Sequence, residues 1–93
     1  MVTLQSKIST HEEVLFRDLG GEAIVLSLET GKYYGLDEVG TRMWALLSQH
    51  GQVKPAYRAL LDEYEVTEEQ LREDMLRFIE ELASHQLLEV DEG

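Results

Sequence analysis

Three histidines, His11, His50 and His85, are the side chains of this 93-residue chain best suited to ligate a metal or to move a proton near neutral pH. They lie far apart, and none has metal-ligand or nucleophile spacing around it. They read as solvated or helix-ending side chains. The chain has no cysteine, hence neither a disulfide nor a thiolate metal site. No GxxxxGK[ST] or GxGxxG phosphate loop occurs, and Gly20-Gly21 reads as a turn. Paired acids such as Glu12-Glu13 and Glu80-Glu81 have the composition of a general acid–base site. With nineteen acidic and eight basic residues, however, such pairs follow from composition alone. Catalysis needs a concave, water-excluding site, and nothing in the pattern asks for one. The expectation is a chain that is not an enzyme and uses no cofactor or metal.

The elements that would position any site fall into two halves. In the first, Glu13–Asp18 ends at Gly20-Gly21, and Glu22–Leu28 places Ile24, Leu26 and Leu28 on one face at period two. Glu29-Thr-Gly31 is a turn, after which Lys32–Leu36 puts Tyr34 and Leu36 on one face and Tyr33 on the other. Three strands with short turns predict an antiparallel meander. In the second half, Asp37 caps a helix running to about Gln49, with Gly51 just past its end. A second helix spans Lys54–Tyr64, with Pro55 in its first turn. A third runs from the capping box Thr67-Glu-Glu-Gln70 to about Ser84, followed by Leu87-Leu88 and a short terminal strand. The fold class is α+β: a three-stranded antiparallel sheet followed by a three-helix, winged-helix-like bundle. Residues 1–93 are read as a single domain.

Charge narrows the partners. A net charge of −11 disfavours nucleic acid, which is held by clustered Lys and Arg. The third helix alone carries Glu68, Glu69, Glu73, Asp74, Glu80 and Glu81 against Arg72 and Arg77. That balance opposes the alternative reading, a winged-helix transcription regulator, which the order of the helices otherwise invites. No segment is apolar enough to span a membrane, and the amino terminus lacks a secretory pattern, so the expected location is the cytoplasm.

On a helical wheel with Leu71 at zero, Met75, Phe78 and Leu82 fall within about 40° of it on either side, and Ile79, Ala83 and Leu76 extend the apolar arc to roughly 140°. Two readings of this arc stand side by side: ordinary core throughout, or core with an apolar shoulder lining a groove beside the sheet.

The run from Leu28 to Leu47 resembles the PqqD-like family, also called the RiPP recognition element. Its pattern is Gly-x-Tyr-x-Leu-Asn/Asp, then Gly-x-x-Ile/Met-Trp-x-Leu; here it is carried by Gly31, Tyr34, Leu36 and Asp37, then Gly40, Met43, Trp44 and Leu46. Tyr64-Glu-Val66 and the stretch from Asp74 to Leu88 fit the later half, so the resemblance covers roughly residues 13–90. It implies that the leader segment of a precursor peptide adds as a strand to Lys32, Tyr33, Tyr34, Gly35 and Leu36. On the third helix, Leu71, Met75, Phe78 and Leu82 would receive leader side chains, with Arg72 and Asp74 at the rim. Tyr34, Leu36 and Trp44 are also read as core. The implied partners are the precursor's leader and a separate modifying enzyme or leader peptidase, served in trans. A lasso-type peptidase is favoured over the radical enzyme of pyrroloquinoline quinone biosynthesis. The exposed sheet edge permits self-pairing, so the expected state is a monomer or weak dimer.

Overall fold

The computed structural model describes residues 2–91. Its element order is β1 (Lys7–Thr10), β2 (Val14–Asp18), β3 (Ala23–Ser27), β4 (Tyr33–Leu36), α1 (Glu38–His50), α2 (Val53–Glu63), α3 (Glu68–Ser84) and β5 (Leu88–Asp91). The predicted meander is present: β2, β3 and β4 pair antiparallel in that order, and three helices follow. The turn between β2 and β3 is closed by Asp18, whose Oδ1 accepts from the amides of Gly20 (2.9 Å) and Gly21 (3.1 Å). Both glycines have φ near +90° to +100°, where a side chain would be strained.

The helix boundaries follow their caps. Asp37 Oδ1 accepts from the Gly40 amide at 2.7 Å, and Gly51, at φ 67°, ends α1 with its amide on the Leu47 carbonyl. Thr67 caps α3 by accepting from the Gln70 amide at 3.1 Å. Only this half of the expected capping box forms. The Gln70 side chain turns forward instead and donates to Asp74 at 2.9 Å, joined there by Arg77 at 3.1 Å. A carboxylate one turn ahead is a stronger acceptor partner for that amide than anything it gains by reaching back.

The core lies between the helices and one face of the sheet. Val25 supplies the sheet's centre, Leu47 and Leu60 the first two helices, and Met75 and Ile79 the third; all are essentially inaccessible. Trp44 is buried on α1 and stacks against Phe16 of β2, ring centroids 5.9 Å apart. Tyr57 is buried with its hydroxyl donating to the Glu68 carbonyl at 2.9 Å, which joins α2 to the first turn of α3.

One strand is new relative to the sequence reading. β1 pairs antiparallel with β5, from Lys7 opposite Asp91 to Thr10 opposite Leu88. This ribbon lies across the α1–α2 junction, where the Ile8 amide donates to the Gly51 carbonyl (2.8 Å) and the Val53 amide to the Ser6 carbonyl (3.1 Å). Ile8, Leu87 and Leu88 are buried beneath it.

Arg42 of α1 and Glu63 at the end of α2 form a two-pronged pair, Nε to Oε1 at 2.7 Å and Nη2 to Oε2 at 2.8 Å. The guanidinium hydrogen bonds hold the Glu63 carboxyl below its ordinary value and raise Arg42 in return. A depressed carboxyl stabilises the fold above its unfolded value and loses that contribution as pH falls through the folded one. Glu63→Gln is therefore expected to flatten the decline in melting temperature below about pH 4.5, the ordinary carboxyl value. Thermal melts of both proteins between neutral and acid pH check this. Because both side chains are largely exposed, the effect is small.

Candidate functional site

β4 ends the three-stranded sheet, so one of its edges has no strand partner among the described residues. The hydrogen-bond alternation shows which groups that edge offers. The Ser27 amide donates to the Lys32 carbonyl at 2.9 Å, so residues 32, 34 and 36 turn their backbone polar groups inward to β3. Tyr33 and Gly35 therefore direct their N–H and C=O groups outward.

A groove of about 520 Å³ runs along this edge. One wall is β4 itself, with Tyr34, Gly35 and Leu36. The opposite wall is α3, with Asp74, Phe78, Glu81 and Leu82. Between them the start of α1 forms the floor, through Val39, Gly40 and Met43. His85, just past α3, closes one end, its ring 4.5 Å from that of Tyr34. Leu36, Met43 and Leu82 are buried and Val39 is exposed, while Asp37, Asp74 and Glu81 add three carboxylates to the lining. Gly40 explains how the floor and wall meet. A Cβ there would stand 3.4 Å from the Phe78 ring and 3.2 Å from the capping Asp37 oxygen, so a glycine lets the ring lie against α1.

Six of the residues expected from the sequence are brought together here: Tyr34, Gly35, Leu36, Asp74, Phe78 and Leu82. The other five are not. Leu71 and Met75 are core, 4 % and 0 % exposed, and neither lines the groove. Arg72 is exposed on α3 outside the groove, and Lys32 sits exposed before β4 begins. Tyr33 points to the other face of the sheet and is 70 % exposed. Conversely, the α1 floor and His85 were missed as site residues. The available signal was Gly40, a glycine in the first turn of a helix, where it costs stability unless something packs close.

Among the described residues no group of three or more His, Cys, Asp or Glu is placed to hold a metal ion. His50 ends α1, and His11 Nε2 lies 3.8 Å from a Glu29 carboxylate oxygen. No helix among the described residues is long and apolar enough to cross a membrane.

The family model described as coenzyme PQQ synthesis protein D (PqqD) matches residues 22–88, which include both walls and the floor of the groove. The chain belongs to the PqqD family. Two solved structures are similar to this PqqD-family chain. TbiB1 in complex with the TbiA(beta) leader peptide is 33 % identical, superimposes with a TM-score of 0.83, and covers 87 % of this chain and 94 % of its own. Lasso peptide synthetase B1 complexed with the leader peptide is 16 % identical, with a TM-score of 0.80 and coverages of 89 % and 98 %, and so shares the fold. No curated protein sequence matches this PqqD-family member.

Proposed function

We propose that this protein is a non-catalytic cytoplasmic module, free of cofactors, that captures the leader segment of a ribosomally synthesised precursor peptide. The leader adds as a strand to the open edge of β4, lies in the groove against α3, and is presented to a separate processing enzyme. The observation that carries this reading is the conjunction of an unpaired strand edge with an apolar groove directly beside it. Outward amides at Tyr33 and Gly35 supply backbone hydrogen bonds, and the Phe78–Leu36–Leu82 surface supplies pockets for alternate side chains. That a 33 % identical protein of nearly the same length was solved with a leader peptide supports the same ligand class here. The favoured partner is a lasso-type leader peptidase, with the radical enzyme of pyrroloquinoline quinone biosynthesis as the alternative.

The test is a fluorescence-polarisation titration of the intact protein against labelled leader peptides of the precursors encoded beside it. Saturable binding at or below the micromolar range is the expected result. A folded protein that binds none of them overturns the reading.

A further inference from the structure

The face of the sheet that turns away from the helices is also apolar. Register places Leu15, Leu26 and Tyr33 in one row across it, and Arg17, Ile24 and Gly35 in the next. Leu15 and Tyr33 are mostly exposed, while Ile24 and Leu26 are half-buried. The second row ends at the free edge with no side chain at all. Nothing among the described residues requires a glycine there: Gly35 does not have positive φ, and a Cβ would meet none of their atoms within 4 Å. Gly40, by contrast, is tightly bounded. Glycine inside a strand weakens it, and its common use is to let a ligand or another backbone approach closely.

We propose that Gly35 is a second subsite for the captured peptide, a notch on the outer sheet face bounded by Tyr33 and Ile24 that takes an aromatic or large apolar side chain. This inference rests on strand addition to β4. Because Gly35 presents its amide outward, a strand added there has a residue directly opposite it, and opposite residues project to the same face. A ring from that residue lies across the bare Gly35 backbone onto Ile24, beside Tyr33, and covers apolar surface that the free protein leaves in water. The next leader residue, opposite Tyr34, points the other way into the groove. The peptide is thereby read on both faces, with large apolar side chains required at alternating positions.

Gly35→Phe fills the notch from the protein's own side and decides the matter. With a leader that the native protein binds, the variant is expected to bind at least about tenfold more weakly while keeping its circular dichroism and melting temperature. An alanine scan of the leader should find one large apolar residue whose removal weakens binding to the native protein but leaves Gly35→Phe binding at least as well as the native protein does, so that the two changes are strongly non-additive. Should Gly35→Phe misfold, Tyr33→Ser removes the other wall and is expected to weaken the intact leader but not the alanine-substituted one. Binding of the intact leader by Gly35→Phe within about twofold of native, or strictly additive losses, overturns the outer subsite. So does a concentration-dependent dimer that the variant disrupts while leader binding is unchanged, since the notch then serves a second copy of the chain. If Phe78→Asp abolishes binding while Gly35→Phe is normal, capture in the groove stands and only the outer subsite falls. If the native protein binds no leader, both fall.

Discussion

Phe78→Asp is expected to abolish leader capture without unfolding the protein. Phe78 stands on the groove wall, half-buried, with its ring resting against Gly40. It is the largest wholly apolar side chain in the groove lining. Central aromatic residues in such pockets commonly carry about 2 kcal/mol or more of binding free energy, roughly thirtyfold in affinity. Aspartate removes that surface and adds a fourth carboxylate beside Asp37, Asp74 and Glu81, which an apolar leader side chain cannot satisfy. The polarisation titration reads the loss, and unchanged circular dichroism shows that it is not a folding defect. Glu80→Ala, on α3 but outside the groove, is expected to bind as the native protein does. Native-like binding by Phe78→Asp means that the groove is not where the leader lies.

Met75 sits about one turn before Phe78 on α3, and the same substitution there has a different consequence. Its side chain is fully buried among Leu47, Leu60 and Ile79 of the core cluster. Met75→Ala is expected to cost about 2–5 kcal/mol from lost burial and the cavity left behind. For a chain of this size that lowers the melting temperature by roughly 4–8 °C per kcal/mol. Met75→Asp buries a charge with no partner and is expected to leave the protein unfolded. Differential scanning calorimetry distinguishes the two, and a melting temperature near native for Met75→Ala would mean that the core is looser than the geometry indicates. Loss of leader binding in either variant reports on folding and carries no information about the groove.

This pair of neighbours shows what the sequence could and could not specify. The wheel identified one apolar arc on α3, because period 3.6 is a property of the helix alone. Which part of the arc faces the core and which the groove depends on where β4 and α1 come to lie, and no local pattern encodes that. The meander was legible because the Gly20-Gly21 and Gly31 turns are local signals, as are the Asp37 and Thr67 caps, whereas the period-two residues Ile24 and Leu26 lie on the less buried face of β3. β1 was not. It has four residues, one of them buried, and a partner at the other end of the chain. Parity places the Tyr33 side chain on the face away from the helices, and only its backbone lies on the open edge beside the groove.

The β1–β5 ribbon has a kinetic consequence. The β2–β3–β4 meander and the three helices each join neighbours in sequence, so their closure entropy is small. The ribbon instead joins segments roughly eighty residues apart, and that closure must be met before its hydrogen bonds return anything. It therefore forms after the rest has collapsed, as a clasp over Ile8, Leu87 and the α1–α2 junction. A perturbation confined to the clasp should speed unfolding far more than it slows folding, because its contacts are absent from the transition state. The open edge of β4 is meanwhile assembled early, from local pieces, and does not wait for the clasp.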